Sequence, residues 1–214
     1  MRLVPAAHST SRLVEMAVGS APAAWERLGF AVADGSTVIG GIRIRLTGGG
    51  GGITSWTLAG VDDVALDGLA TRVVMDPGEP PQPPEHPNGA HRIDHLVVRT
   101  PSLDRTAAAF DDAGVELRRT RDAGGGVRQG FLWVGDTIVE LVEAPGADRS
   151  APAGFWGLVV VVDDIDRAAE LAGDALGEVR DAVQRGRRIT TVRDSAGIGL
   201  PLALMTPHVK KAVR

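Results

Sequence analysis

Proton-transfer chemistry in this chain has few side chains to draw on. The 214 residues hold no cysteine and no tyrosine, and the lysines are Lys210 and Lys211 alone. Cysteine nucleophiles, thiolate metal sites and disulfides are excluded, and so is a phenolic acid. Imidazole and carboxylate remain. His95 and Glu140 each interrupt an apolar run, Ile93-Asp-His95-Leu-Val-Val and Ile138-Val-Glu140-Leu-Val-Glu143. A carboxylate in such surroundings needs a partner, and an imidazole supplies one. Where a cleft brings the two groups together without a metal, they can do general acid–base work on a carbonyl compound, the carboxylate as base or orienter and the imidazole as proton donor.

The elements that must position these residues are written twice. His95-Leu-Val-Val-Arg-Thr-Pro-Ser-Leu-Asp-Arg-Thr-Ala aligns without gaps on Gly157-Leu-Val-Val-Val-Val-Asp-Asp-Ile-Asp-Arg-Ala-Ala, at an offset of 62. An apolar strand, a polar turn and an Ala-rich helix recur, with Ser102 and Asp164 as expected N-caps. Gly130 to Glu143 reads as two strands joined at Gly135-Asp136. Arg187 to Arg193 and Gly199 to Met205 take the matching places around Asp194-Ser-Ala-Gly. Each copy is β-α-β-β-β, and a repeat that occurs twice is a pseudo-symmetric pair.

Upstream, Asp76 to Ala90 holds six prolines in fifteen residues and reads as an extended linker. Before it, residues 1–75 read as a third, degenerate β-α-β-β-β module. Its strands are expected at Arg12–Val18, Val38–Leu46 and Ile53–Leu58, with a helix at Ala21–Leu28. Gly48 to Gly52 lacks the following Gly-Lys-Ser/Thr of a phosphate loop and reads as a loose hairpin tip. The domain reading is thus 1–75, a linker at 76–90, paired modules at 91–146 and 155–207, and a basic tail at 208–214.

On Ile93-Asp-His95-Leu-Val-Val, the Leu103-Asp104 helix start, Ile138-Val-Glu140-Leu-Val-Glu143 and their second-copy counterparts, the sequence resembles the vicinal oxygen chelate superfamily. This is the glyoxalase and bleomycin-resistance fold. The resemblance covers about residues 91–207 and, more weakly, 10–60. It implies an α+β fold of tandem βαβββ modules forming cupped mixed sheets around a small-molecule cleft. Many members hold a divalent metal (Zn, Fe, Ni or Mn) on a His from the first strand and a Glu from the last strand of each module. His95 and Glu140 stand at those positions in the first copy. In the second, the positions fall on Gly157 and on Leu202 or Ala203, which are not ligands. Two ligands fall short of the three or four of a zinc site and of the iron triad. A homodimer pairing two first copies would supply four; His91, His86 or His208 could supply a third from a loop. His86 and His208 read instead as solvated surface histidines.

Strand alternation fills in the rest of the cleft. With Glu140 facing the cup, Ile138 and Val142 do too, while Val139 and Leu141 pack under the helix; from His95, so do Val97 and Arg99. Gln129, Phe131 and Trp133 share one face. Trp133 has the alternative of the core, and Trp156 either covers the cleft mouth or closes the core. Arg99, Gln129, Phe131, Trp133 and Trp156 are therefore the candidate ligand-binding residues. Arg185-Gly-Arg187-Arg188 is a possible anion receiver, but reads first as exposed arginines on an edge strand.

Charge and patterning narrow the class. A net charge of −4 and a pI of about 5.7 argue against a nucleic-acid or membrane-surface binder. No stretch approaches a membrane span, and Met1-Arg-Leu-Val-Pro5 has no secretory apolar run, so a cytoplasmic protein is expected. Three readings follow: an enzyme of lyase, isomerase or dioxygenase type acting on a carbonyl or enolisable compound; a non-catalytic binder of the bleomycin-resistance kind; and an assembly role for the degenerate modules. An odd number of modules leaves one unpaired, so a homodimer is expected.

Overall fold

The computed structural model describes residues 11–62 and 65–208. Met1 to Pro5, and the tail from residue 209 with Lys210 and Lys211, lie outside the described residues. The chain runs through β1 (Arg12–Val18), α1 (Pro22–Arg27), β2 (Ser36–Ile39), β3 (Ile42–Leu46), β4 (Ile53–Ala59) and β5 (Thr71–Val74). Then come β6 (Ala90–Thr100), α2 (Leu103–Asp112), β7 (Leu117–Asp122), β8 (Arg128–Val134) and β9 (Thr137–Glu143). The last stretch is β10 (Gly154–Val162), α3 (Ile165–Ala172), β11 (Arg180–Asp181), β12 (Arg188–Thr191) and β13 (Leu202–Met205).

The repeat builds one eight-stranded sheet, β11-β12-β13-β10-β6-β9-β8-β7. Each copy closes its last strand parallel to its first, β9 on β6 and β13 on β10, and the copies join through the antiparallel pair β6–β10. The caps form as the sequence predicts. Ser102 accepts from the Arg105 N–H, and Asp164 accepts from the N–H groups of Asp166 and Arg167. One face of the sheet is buried by Leu96, Val98, Leu132, Val139, Leu141, Leu158, Val160, Leu202 and Leu204, with Leu103, Phe110 and Ile165 of the helices in the same core. The other face is open and carries the candidate residues.

The N-terminal part departs from the β-α-β-β-β expectation. A turn at Gly40-Gly41 splits Val38–Leu46, so β3 rather than β4 lies parallel to β1. β4 pairs antiparallel on the other side of β1, and β5 runs parallel to β4, giving the order β2-β3-β1-β4-β5. Both sheets thus consist of two halves joined by an antiparallel central pair. The two sheets share one apolar core, where Trp56 meets Phe110 and Phe155 edge-on at 6.0 and 5.2 Å.

Two segments are tighter than their composition suggests. The Gly52 N–H donates to the Gly199 carbonyl at 2.6 Å and the Gly51 N–H to Gly19 at 3.0 Å, so the glycine run seams the first sheet to the last module. A Cβ on Gly19 would stand 2.5 Å from the Gly49 carbonyl oxygen, which is why this approach needs glycine. In the proline-rich segment His86 is only 4 % exposed, against the expectation of a solvated residue. It accepts the Ala31 N–H at Nδ1 (3.0 Å) and donates from Nε2 to the Val38 carbonyl (2.9 Å). Asn88, also buried, bridges the Leu28 carbonyl and the Ala90 N–H. The linker is therefore pinned to the first sheet at its C-terminal end.

Candidate functional site

His95 on β6 and Glu140 on β9 face the same open side of the eight-stranded sheet, with Nε2 and Oε2 3.5 Å apart. Parallel pairing sets this contact: Ile138 stands beside His95 and Glu140 beside Val97. Both side chains are largely buried, 12 % and 14 % exposed. On β9 the alternation runs as the sequence predicts, with Val139 and Leu141 fully buried on the reverse face.

Asp94, which strand alternation would send to the reverse face, reaches the same histidine. Between the pairs Ile93–Val160 and His95–Val159, β6 carries one residue more than β10, and that residue is Asp94. Such a bulge re-aims a side chain. Asp94 Oδ2 lies 2.9 Å from His95 Nδ1, and Oδ1 accepts from Arg187 at 2.8 Å. Burial pushes the Asp94 carboxyl up. The hydrogen bonds and charges of His95 and Arg187 outweigh it and hold the group well below the usual carboxylate range. An ionised Asp94 only accepts, so His95 Nδ1 is the donor and its proton is fixed there.

Arg187 overturns the edge-strand reading. It is 1 % exposed, and besides Asp94 it donates to the Thr206 carbonyl (2.7 Å) and stands 3.3 Å from His208 Nε2. Its neighbour Arg188 does lie outside, paired with Asp166 at 2.6 Å.

Glu140 stands differently from Asp94. Burial pushes its carboxyl up, and the charges of His95 and Arg121 only partly pull it back. The Gln129 amide donates to Glu140 Oε1 at 2.7 Å, and Gln129 Oε1 is buried with no partner in the described structure. With Nδ1–H committed to Asp94, Nε2 is the ring nitrogen turned toward Glu140. The pair opens onto a cavity of about 400 Å³ whose walls include Arg121, Gln129, Phe131, Ile189 and Met205. The second module brings an apolar cluster, Val159, Ala203 and Met205 with Ala182 and Ile189, and lines the same cavity with Arg180, Asp181 and Gln184.

The cavity thus brings together His95, Glu140, Gln129 and Phe131 of the candidate residues. Arg99 and Trp156 line a separate groove farther along β6. Trp133, 38 % exposed, shares the open face but lines neither, so it is not a core residue. The sequence reading missed Asp94 and Arg187; the trace available was a charge set inside the apolar run before His95.

The pairing also settles which residues of the second module correspond to the first. Val97 pairs Glu140 and its repeat mate Val159 pairs Ala203, so Ala203 takes the place of Glu140 and Gly157 that of His95. A Cβ on Gly157 would lie 2.7 Å from the Pro201 carbonyl oxygen. The imidazole and carboxylate donors lining the cavity are therefore His95 and Glu140 of the first module and Asp181 of the second, and the three do not converge. His86, His91 and His208 are engaged elsewhere, with Ala31 and Val38, with Asp163, and with Arg187. Among the described residues no group of three or more His, Cys, Asp or Glu converges. This donor set does not fit the divalent metal that the resemblance implies.

The model of the Glyoxalase/Bleomycin resistance protein/Dioxygenase superfamily matches residues 92–200. A variant of 4-hydroxymandelate synthase from Streptomyces coelicolor superimposes with a TM-score of 0.61 over 94% of each chain, at 15% identity. That likeness extends the shared fold across both sheets. Methylmalonyl-CoA epimerase from Mycobacterium tuberculosis matches 57% of this chain and 92% of its own, with 20% identity and a TM-score of 0.46. The Streptomyces coelicolor epimerase in complex with 2-nitronate-propionyl-CoA gives 24% identity over 55% of this chain and 98% of its own, with a TM-score of 0.43. None of the curated proteins matches the sequence. Among the described residues, no helix is long and apolar enough to cross a membrane.

Proposed function

The chain belongs to the Glyoxalase/Bleomycin resistance protein/Dioxygenase superfamily, and from that premise we propose that it moves a proton on a small enolisable carbonyl compound without a metal. The observation that carries this reading is His95 held between an ionised Asp94 at Nδ1 and a carboxyl of raised basicity, Glu140, at Nε2. Two carboxyl groups in contrasting environments divide the work as acid–base sites require. Asp94 fixes the tautomer and orientation of the imidazole. Glu140 exchanges the proton.

In the reacting state Glu140 is ionised and His95 is an imidazolium. The Glu140 carboxylate takes the hydrogen next to the carbonyl; the C–H bond breaks and an O–H bond forms on the carboxyl. The electron pair moves onto the carbonyl oxygen, which receives the Nε2 proton of His95 and becomes an enol. Return of the proton from Glu140 to the same carbon, with the O–H proton passing back to Nε2, exchanges the α-hydrogen. Return to the neighbouring carbon of an enediol, whose other hydroxyl gives its proton to Nε2, completes an isomerisation. Arg121 at the cavity wall attracts negative charge on the substrate. The apolar Phe131, Ile189 and Met205 on the cavity wall favour a second reading, a binder that retains its ligand unchanged.

Proton NMR in D2O separates the two. Wild-type protein is incubated with 2-oxoaldehydes and epimerisable acyl thioesters, and loss of the α-hydrogen signal is followed. Exchange that disappears in Glu140→Gln and His95→Asn supports the proton-transfer reading. A compound that raises the melting temperature yet keeps its α-hydrogen would transfer the conclusion to the binder.

A further inference from the structure

We propose that the groove at the C-terminal end of β6 is a separate binding site for organic anions with a flat apolar body. It encloses about 700 Å³, and its walls include Arg99, Pro101, Val127, Val142, Pro152 and Trp156. No lining residue is shared with the His95 cavity. Arg99 lies four residues beyond His95 on the same strand face, about 13 Å away at strand rise.

Trp156 is the extra residue of a second bulge, between the pairs Val98–Phe155 and Val97–Gly157. That insertion turns its indole out of the ladder, and it stays 38 % exposed. The guanidinium of Arg99 is stacked over it, 4.5 Å from the ring centroid. Stacking engages the flat face of the guanidinium and leaves its in-plane N–H donors free. Arg99 has no ion pair among the described residues, whereas Arg105, Arg128, Arg187 and Arg188 each hold a carboxylate. The acid on the groove wall, Asp148, is engaged by the Ser150 N–H and hydroxyl. Beneath Trp156, Phe155 is held edge-on by Trp56, so the floor is preformed.

A planar fork of donors at the edge of an apolar trough matches a carboxylate attached to an aromatic ring: the fork takes both oxygens and the trough takes the ring. This site does not depend on the proton-transfer reading, and its test is binding alone.

Isothermal titration with 1-naphthylacetate and its neutral isostere 1-naphthylacetamide supplies the test. Wild-type protein is expected to bind the anion at least about tenfold more tightly than the amide. Arg99→Met should remove that preference, Trp156→Leu should weaken both ligands, and Glu140→Gln should leave both affinities unchanged. Should Arg99→Met fail to fold, as judged by its melting curve, Arg99→Gln carries the same expectation. Equal affinities in wild type, no binding up to the solubility limit, or a preference that survives loss of Arg99 would each overturn the proposal. Loss of the anion in Glu140→Gln would overturn it too, by moving the anion to the other cavity.

Discussion

Replacing Arg187 by Met asks whether the second module braces the catalytic candidate of the first. Methionine fills much of the space of the arginine stem. It leaves Asp94 buried, with the His95 hydrogen bond and a 3.5 Å contact from Arg92 as its remaining partners. Removing one member of a buried ion pair costs about 3–5 kcal/mol. At about 2–4 °C per kcal/mol for a chain of this size, the melting temperature should fall by about 6–20 °C. The double variant Asp94→Leu/Arg187→Met buries no unpaired charge, so its loss should be smaller than the sum of the single losses, by about 1–3 kcal/mol. The pH dependence has a definite sign. The Asp94 carboxyl is pushed up by burial but held lower by its hydrogen bonds to His95 and Arg187. A depressed acid gives stability that is present above the unfolded carboxyl value of about 3.9 and is lost as pH falls through the folded value. The gap between wild type and Arg187→Met should be full near neutral pH and narrow below about pH 4. Thermal melts of the three variants across that range measure all of this. A single-variant loss under about 1 kcal/mol, or strict additivity in the cycle, would refute the brace.

Glu140→Gln should abolish α-hydrogen exchange and yet stabilise the fold. Burial raises the folded acid, so its contribution is present below about 4.3 and lost as pH rises through the folded value; the variant should match wild type near pH 4 and melt higher near pH 8, and an equal or lower melting temperature at pH 8 would mean that His95 more than offsets the burial. His86→Ala strands the Ala31 N–H and the Val38 carbonyl at about 1–3 kcal/mol each. Limited proteolysis should then cut residues 76–89 faster than in wild type, and an unchanged rate would deny His86 its anchoring role. Protein soaked with zinc or manganese and then freed of unbound ion should retain substoichiometric metal and an unchanged melting temperature. One ion per chain, lost in His95→Ala, would overturn the donor count.

The eight-stranded sheet was legible because its strands and helices are local patterns repeated at a fixed offset. Alternation along β9 alone places Glu140 on the open face and Leu141 beneath it. What stayed hidden depends on two strands at once. A bulge is a mismatch in pairing, and nothing in Ile93-Asp-His95 taken singly says that β10 skips a residue there. Arg187 finds its partner 93 positions away in the chain, so an arginine beside an edge strand looked exposed. The glycine run and His86 were judged by the composition around them, whereas their partners Gly199 and Val38 belong to distant segments. In the N-terminal sheet β1 and β4 were legible, but the split of Val38–Leu46 and the strand β5 were not. Nor was the side of β1 on which β4 lies, because an apolar strand fits either edge.

The two modules share an ancestral pattern but divide the labour, and packing enforces the division. At the position matching His95, the Pro201 carbonyl leaves no room for a Cβ on Gly157. A second imidazole there would require β13 to shift away from β10, breaking the parallel pairing of Leu158 to Val161 with Leu202 to Met205. The second module cannot supply a symmetric ligand set at its present register. It supplies Ile189 and Met205 to the cavity wall and, through Arg187, the charge that keeps Asp94 ionised. A ligand in the cavity therefore meets His95, Glu140, Gln129 and Arg121 of the first module, and from the second both the hydrocarbon of Ile189 and Met205 and the polar groups of Arg180, Asp181 and Gln184. A reacting carbon placed beside Glu140 faces the first module and leaves the rest of the molecule to the second.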